Sequence, residues 1–266
     1  MEQRRTAYGV THADVVELRS AEHLEAAAEL LRGVWQARTD AERIEVISTT
    51  LLRSLSYSGN YVHGVFDGTD LIGCAVGWMG SSSSGPPDHL HSDIVGTRAS
   101  DGGIGYAMKR HQRRWALSRG LGKIRWTFDP LVARNAYFNL CKVGAVVTSY
   151  QPDFYGRLND GVNTDQATDR LVLEWDLRDR WAEQAPEEGH SRVRRHAVVL
   201  PGAEVISVPE DVNALRQTDP GLVRRERVAV RERFQSLLEQ GFWVAGMSER
   251  REYVLLPRQV APVFEA

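Results

Sequence analysis

The fold is decided by the stretch from His89 to Gly105, HLHSDIVGTRASDGGIG. Its first part, up to Val95, has the composition of a β-strand, and a helix is predicted from about Gly103 to Ser118. The glycines between them let the backbone approach a ligand closely and adopt positive φ. A helix start adds unpaired N–H groups and the positive end of the helix dipole, which suit a pyrophosphate. The stretch therefore predicts either an anion-binding strand–loop–helix unit or a plain tight turn.

Two other glycine-rich phosphate loops are excluded by their patterns. The run Gly103-Ile104-Gly105-Tyr106-Ala107-Met108 lacks the third small residue of a dinucleotide-binding fingerprint. It also follows several predicted strands, which is an unusual position for that fold. No Gly-Lys-Ser/Thr sequence follows, so the loop does not match a Walker-type phosphate loop.

The composition of the chain narrows the classes of partner. Its 266 residues are 42% hydrophobic, enough for one large domain or two small ones. A net charge of −2 indicates neither a nucleic-acid nor a membrane partner. The cysteines, Cys74 and Cys141, lie in apolar stretches and offer neither a disulfide framework nor metal-ligand spacing. No signal peptide and no run of about 18 apolar residues is evident, so a cytoplasmic protein without a metal is expected.

Apolar periodicity predicts strands and helices along the whole chain. Strands are expected at 15–18, 60–66, 71–79, 89–95, 123–128, 145–149 and 171–175, and helices at 20–34, 40–55, 103–118 and 131–143. The charged segment from Arg178 to Pro201 has weak periodicity and is predicted to be a linker. A strand, a short helix, a long helix from Asp219 to Gln240 and a closing hairpin are predicted after it.

Two motifs carry a resemblance to a known family. The loop Ser100-Asp101-Gly102-Gly103-Ile104-Gly105 follows the pattern Gln/Arg-x-x-Gly-x-Gly/Ala, except that Ser100 replaces the leading Gln or Arg. A later helix carries Asn135 near its start, and its ending Lys142-Val143-Gly144-Ala145 lacks only the usual aromatic residue. With these motifs, residues 12–177 resemble the GNAT superfamily of N-acetyltransferases.

The resemblance implies an α/β GNAT fold. Such a fold has a mixed, mostly antiparallel central sheet flanked by helices, and here a C-terminal α+β extension would be added to it. The chain is expected to divide into an acyltransferase domain at 12–177, a linker at 178–202 and an extension of helix and hairpin at 203–266. The extension is expected to dock on the domain or to form a contact in a homodimer.

The activity implied by the resemblance is acyl transfer from acyl-CoA to the amine of a small molecule such as an amino acid, by direct attack in a ternary complex. The run from Thr127 to Ala136, TFDPLVARNA, is similar to a bacterial branch that includes N-succinyltransferase-like members. Acetyl-CoA and succinyl-CoA are therefore both candidate co-substrates. Arg157 and Arg170 are candidates to clamp a carboxylate of the acceptor or of a succinyl group.

The resemblance also assigns residues to acyl-CoA. The backbone of one strand would contact the acyl-pantetheine arm, the loop and helix start would hold the pyrophosphate, and an asparagine of the later helix would contact the CoA arm. The strand residues are Ile94 and Val95, and the asparagine is Asn135. The loop and helix start comprise Ser100, Asp101, Gly102, Gly103, Ile104, Gly105 and Tyr106.

Candidate catalytic residues follow from the chemistry of acyl transfer, which requires that the amine lose a proton. His89, His91 and Asp93 alternate on a strand, so their side chains are expected on one face. The pKa of histidine is about 6.5 and an adjacent carboxylate raises it, so His91 or Asp93 is expected to take the proton, directly or through a water. The alternative is that these residues form a structural pair or face solvent.

A general acid is harder to assign. The superfamily often uses a tyrosine four residues before the glycine that ends the later helix, and Leu140 occupies that position here. Tyr155 and Tyr137 are the candidates to replace it. The alternative is that proximity accelerates the reaction and water carries the protons.

Two other functions are compatible with the sequence. Ser100 and Leu140 depart from the superfamily at functional positions, which leaves a non-catalytic acyl-CoA-binding or regulatory protein as the main alternative. A nucleotide-dependent oxidoreductase is the third, and the missing dinucleotide fingerprint argues against it.

Overall fold

The structure is a computed structural model that describes most of the chain. The described residues are 5–6, 9–10, 14–98, 103–158, 160–163, 166–179 and 196–265, of which 5–6, 9–10 and 264–265 are described by their backbone alone. Within these ranges, no helix is long and apolar enough to cross a membrane.

Strands and helices alternate through the first two thirds of the chain. The strands are β1 Arg5–Thr6, β2 Gly9–Val10, β3 Val15–Glu17, β4 Tyr61–Asp67, β5 Asp70–Gly80, β6 His89–Thr97, β7 Lys123–Phe128, β8 Val146–Gln151, β9 Arg170–Asp176, β10 His196–Ala197, β11 Glu204–Ile206, β12 Phe242–Met247, β13 Tyr253–Pro257 and β14 Phe264–Glu265. The helices are α1 Ala21–Val34, α2 Asp40–Val46, α3 Thr49–Tyr57, α4 Ile104–Leu117, α5 Ala133–Tyr137, α6 Val212–Thr218 and α7 Pro220–Glu239, with a π-helical turn, Phe138–Val143, directly after α5.

A seven-stranded sheet organises the fold, in the order β3-β4-β5-β6-β7-β9-β8. The pairs β3–β4, β4–β5, β5–β6 and β8–β9 are antiparallel. The pair β6–β7 is parallel, with α4 as the helical connection that parallel strands require. This mixed, mostly antiparallel sheet with its helices confirms the α/β fold class expected from the sequence.

Helix α1 packs on β5 and β6 through an apolar face. Its buried residues recur at helical spacing and are at most 1% exposed at Leu24, Ala27, Ala28 and Leu31. Ser20 caps the helix by accepting a hydrogen bond of 3.1 Å from His23 N. Apolar residues of the strands, namely Leu18, Val62, Leu71, Val76 and Ile94, complete the same core.

The single helix predicted over residues 40–55 is wrong, because the structure has two helices there. Ile47, between α2 and α3, has an extended backbone with φ −170°. Ser48 then caps α3, since its side chain accepts a main-chain N–H hydrogen bond of 3.1 Å. The break turns Ile47 into the core, where it is 5% exposed.

The chain divides into two compact units. The first comprises Met1–Trp126, Asn159–Gly161 and Asp176–His190, and the second comprises Thr127–Leu158, Val162–Trp175 and Ser191–Ala266. The predicted division, with a linker at 178–202, stays a prediction. Most of that linker, residues 180–195, lies outside the described residues, and His196–Ala197 forms β10, which pairs with β14.

The predicted extension at 203–266 is part of the second unit because it packs on residues that follow β7. The Tyr253 hydroxyl donates a hydrogen bond of 2.8 Å to the main-chain oxygen of Pro130, and Met247 N donates one of 3.4 Å to the sulfur of Cys141. Strands β11, β13 and β12 form a small antiparallel sheet in this unit.

Two histidines lie in the interior of the first unit. His63 is 5% exposed, and its ring lies 4.1 Å from that of Tyr61 and 4.8 Å from that of His111. The Nδ1 atom of His111 shares a hydrogen bond of 2.9 Å with the Tyr61 hydroxyl. Burial, followed by the charge of His111, lowers the pKa of His63 to about 3. Burial also lowers the pKa of His111 to about 4.

These two histidines predict a loss of stability in acid. Both are neutral in the folded chain, whereas in the unfolded chain they bind protons with a pKa of about 6.5. The free energy of unfolding should fall as the pH drops below about 6.5, by up to about 1.4 kcal/mol per pH unit for each histidine. Urea denaturation at a series of pH values measures this slope. His63→Phe keeps the ring packing without a titrating group, so an unchanged slope in this variant would contradict the assignment.

Candidate active site

Strands β6 and β7 pair over only part of their length. Their parallel register covers three pairs and ends at His91↔Arg125, although β6 continues to Thr97 and β7 continues past Arg125. Beyond this point, the structure gives no further β6–β7 pair among the residues that it describes. We call this region, bounded by Ser92–Thr97 and Trp126, the β6–β7 gap. Main-chain N–H and C=O groups are strong hydrogen-bonding groups, so a strand edge beyond the end of its ladder can bind an extended ligand.

A β-bulge lies at the start of the gap. In the ladder between β5 and β6, Gly77 pairs with Ser92 and the preceding residue, Val76, pairs with Ile94, which leaves Asp93 without a partner. Gly77 permits this geometry, since a Cβ there would lie 2.4 Å from a main-chain oxygen of β6. The extra residue interrupts the strict alternation of side chains that the sequence-based prediction assumed.

Asp93 and His91 remain close despite the bulge. His91 Nε2 and Asp93 Oδ1 are 4.0 Å apart, and the two side chains are 25% and 32% exposed. Burial raises the pKa of Asp93 to about 6, which makes its carboxylate a stronger proton acceptor than an ordinary aspartate. The expectation that the carboxylate would raise the pKa of histidine is wrong, because burial, with smaller effects of His89 and Lys109, lowers the pKa of His91.

His89 is engaged in packing. It is 7% exposed, and its Nδ1 lies 2.7 Å from Oδ1 of Asp88. Its ring covers Gly80, where a Cβ would lie 2.6 Å from Nε2. The structure therefore brings together two of the three polar residues expected on this strand, His91 and Asp93, which lie 4.0 Å apart at the start of the gap.

A buried lysine beside the bulge is a site residue that the sequence-based prediction missed. Lys109 of α4 is 4% exposed, its Nζ donates a hydrogen bond of 3.0 Å to Ser92 Oγ, and it lies 4.0 Å from the centroid of the Trp126 ring. Gln112 donates a second hydrogen bond, of 2.9 Å, to the same hydroxyl. Burial lowers the pKa of Lys109 to about 7. The sequence contained one signal for this buried site, because Lys109 and Gln112 lie on the same face of α4 as Met108.

Helix α4 begins at the predicted glycine loop. Its N-cap residue, Gly103, has φ 72° and ψ −3°, a left-handed conformation that favours glycine. Ile104 is 3% exposed and packs on Gly73, so a ligand can meet its main chain but not its side chain. The hydroxyl of Tyr106 is buried and has no hydrogen-bond partner among the described residues. With Gly105, these residues form a first turn whose N–H groups suit an anion.

The other residues predicted to bind acyl-CoA in this unit divide into two groups. Ser100, Asp101 and Gly102 lie outside the described residues. Ile94 and Val95 pair with β5, and Ile94 is 9% exposed with its side chain in the core under α1. Any contact of these two residues with a ligand in the gap would therefore come mainly from the main chain.

Two predicted site residues, Tyr155 and Asn135, belong to the second unit. The Tyr155 hydroxyl lies 3.0 Å from Oγ1 of Thr127, and the residue is 40% exposed. Asn135 is exposed on α5. Leu140 lies in the π-helical turn and is 6% exposed, so this position contributes packing and no proton donor. The roles assigned to Tyr155 and Asn135 stay predictions.

Solved structures share this fold at low sequence identity. No protein-family model matches the chain, and no curated protein sequence matches it. A suspected acetyltransferase from Salmonella typhimurium, solved with its cofactor acetyl-CoA, has a TM-score of 0.51 and 15% identity over 64% of this chain and 96% of that one. An N-acetyltransferase from Staphylococcus aureus Mu50 has a TM-score of 0.50 and 13% identity over 63% and 100%. A ribosomal-protein-alanine N-acetyltransferase from Brucella melitensis has a TM-score of 0.51 and 14% identity over 61% and 99%.

These likenesses show the fold of the chain. The shared fold is that of the GNAT superfamily of N-acetyltransferases, as the two sequence motifs implied. The narrower resemblance to a branch with N-succinyltransferase-like members stays a prediction.

Proposed function

We propose that this chain, a protein with the GNAT fold, is an acyl-CoA-dependent N-acyltransferase that acts on the amine of a small molecule. The observation that carries the proposal is the bulged Asp93, whose pKa burial raises to about 6, at the start of the β6–β7 gap. Amine acylation needs a carboxylate with a pKa near working pH, beside a strand edge that can bind an acyl-pantetheine arm. The helix start at Gly103, in the same unit, supports a place for the pyrophosphate.

The proposed reaction is direct attack of the amine on the thioester. Asp93 accepts a proton from the ammonium group, directly or through a water, and the neutral amine forms the new N–C bond. The C–S bond then breaks, and the proton that the nitrogen loses as the amide forms passes through water to the CoA thiolate. Main-chain N–H groups of β6 in the gap would polarise the thioester carbonyl during this step.

The acyl donor and the amine acceptor are proposed as classes of molecule. Acetyl-CoA and succinyl-CoA are the candidate donors, and the acceptor is a small amine such as an amino acid. The neutral His91 would keep positive charge away from the incoming ammonium group, since burial lowers the pKa of this histidine. We propose a cytoplasmic setting on the composition alone.

Acyl-CoA binding is the experiment that tests this proposal. Native mass spectrometry with acetyl-CoA, succinyl-CoA and NADH in parallel should show retention of an acyl-CoA and not of NADH. Gly103→Glu should weaken acyl-CoA binding about tenfold or more, because it places a negative charge at the helix start. Gly103→Ala is the matched control, since it carries the same left-handed backbone cost, about 1 kcal/mol, without the charge.

A chain that retains no acyl-CoA, or a Gly103→Glu variant that binds acyl-CoA as well as Gly103→Ala does, would contradict the proposed loop. The buried Leu140 favours one alternative, a non-catalytic acyl-CoA-binding protein, because the usual proton donor is missing. Turnover of a bound acyl-CoA with any member of an amine panel would exclude that alternative.

A further inference from the structure

The second unit buries carboxylates together with arginines from its C-terminal helices. Asp129 is 8% exposed and accepts hydrogen bonds from Arg227 at 2.8 and 3.0 Å and from Arg216 at 2.6 Å. Asp169 is 0% exposed and accepts from Arg231 at 2.6 and 2.8 Å. Each carboxylate is therefore already engaged by at least one guanidinium.

Arg170, at the start of β9, lies in the same region but makes different contacts. It is 8% exposed, and its Nη1 donates one hydrogen bond of 2.9 Å, to the main-chain oxygen of Asp169. Among the described residues, no carboxylate forms an ion pair with it. A guanidinium has five N–H donors, so most of the hydrogen-bonding capacity of this buried cation is unused. Burial and the charges of Arg227 and Arg216 lower its pKa, and Asp129 opposes them.

A second unused donor belongs to the neighbouring Arg227. This residue is 2% exposed, and its Nε has no hydrogen-bond partner in the part of the chain that the structure describes. Removing a cation from water costs several kcal/mol unless a partner compensates for it. Arg170 and Arg227 thus present a buried positive surface that an anion would stabilise.

Tyr155 covers this surface. Its ring centroid lies 5.1 Å from the guanidinium carbon of Arg170, and its hydroxyl lies 3.0 Å from Oγ1 of Thr127. Tyr155 is 40% exposed, and the subsite proposed below requires that its side chain rotate to admit a small ligand to Arg170.

We propose that Arg170 and Arg227 form a subsite for a carboxylate, reached beneath Tyr155, and that one substrate of the transfer carries this carboxylate. The planar fork of a guanidinium matches the two oxygens of a carboxylate. The carboxylate belongs either to an amino-acid acceptor or to a dicarboxylic acyl group such as succinyl. This assignment of a substrate class rests on the proposed N-acyltransferase function, whereas the binding of a carboxylate does not.

Direct binding is measured first. Thermal unfolding of the whole chain is followed with succinate, with its neutral diamide and with inorganic phosphate. Succinate should raise the unfolding temperature, because a ligand that binds only the folded chain stabilises it, and the diamide should not. Arg170→Gln should abolish the shift. Arg224→Gln is the matched control, since Arg224 is exposed on the same helix as Arg227.

The source of the carboxylate is identified by turnover. In the first comparison, acetyl-CoA is the donor, and turnover of each amino acid of a panel is compared with turnover of its carboxamide. In the second, a neutral amine is the acceptor, and turnover of acetyl-CoA is compared with turnover of succinyl-CoA. Preference for the carboxylate in one comparison should be about 10- to 100-fold in kcat/KM, the usual effect of hydrogen bonds to a charged group. Arg170→Gln should remove that preference, and the control Arg224→Gln should keep both the preference and the turnover of the neutral counterpart.

The results of these experiments test the subsite, the substrate class and the proposed function separately. No succinate shift, a phosphate shift in its place, or equal shifts for succinate and its diamide would overturn the subsite. Turnover without any preference for a carboxylate would overturn the substrate class and leave the proposed function intact. A succinate shift without turnover of any acyl-CoA would support the subsite while contradicting the proposed function. If Arg170→Gln does not fold, Arg170→Lys takes its place, and the loss of the planar fork should still reduce the succinate shift.

Discussion

Replacing Asp129 with asparagine is expected to lower the free energy of unfolding by about 3–5 kcal/mol, the usual cost of removing one partner from a buried ion pair. Asparagine keeps the size of the side chain but removes the charge that faces Arg216 and Arg227. Burial alone would raise the pKa of Asp129, but the hydrogen bonds and charge of Arg227, with the charge of Arg216, lower it. The carboxylate is therefore more stable in this site than its protonated form, and its loss leaves buried guanidinium groups without compensation.

Urea denaturation of the whole chain measures this effect. Glu204→Gln is the matched control, because Glu204 also pairs with an arginine of α7, Arg233, but 41% and 45% of the two side chains are exposed. An exposed ion pair contributes about 1 kcal/mol or less. Equal losses in the two variants would show that the buried Asp129 pair contributes no more than a surface pair.

Replacing Asp93 with asparagine is expected to lower turnover by about 10²- to 10⁴-fold, the range for a general base, with little change in acyl-CoA affinity. Burial raises the pKa of the wild-type carboxyl to about 6. The group is protonated below that pH and cannot accept a proton, so kcat/KM should rise as the pH increases through about 6. This limb of the pH profile should disappear in the variant.

Asp88→Asn is the matched control for the base. Asp88 is at the entrance to the same strand, but its carboxylate accepts hydrogen bonds from Ser82 and contacts His89. Its replacement should leave both the turnover and the pH profile near those of the wild type. Wild-type turnover in Asp93→Asn would contradict the assignment of the base, and a loss in Asp88→Asn as large as in Asp93→Asn would show that the strand end has been disturbed.

Local pattern was sufficient to predict most elements of the first unit. The alternation of apolar residues placed β4, β5, β6 and β7 close to their observed bounds, and Ser20 marked the start of α1. The helix break at Ile47 was missed because its cause is a cap at Ser48, which competes with a continuous apolar face. A helix cap is a weaker sequence signal than a set of apolar residues that recurs over four helical turns.

Local sequence pattern also predicted part of the candidate site. Gly103 marked a helix start, and its positive φ agrees with the use of glycine there. The bulge at Asp93 was not predicted, since it depends on how β5 and β6 align and on the space that Gly77 leaves. Burial raises the pKa of Asp93 and lowers the pKa of His91, which favours Asp93 among the two candidate bases that the sequence left open.

The sequence by itself determined the order of elements, the α/β class and the strand–loop–helix unit at Gly103, because each depends on residues close together in the chain. Only the tertiary structure decided the environment of the charged groups. Asp129 meets Arg227 across 98 residues of sequence, and Lys109 contacts Ser92 across 17. Burial and long-range partners set the pKa of a group and the cost of leaving it unpaired, and neither is a property of neighbouring residues.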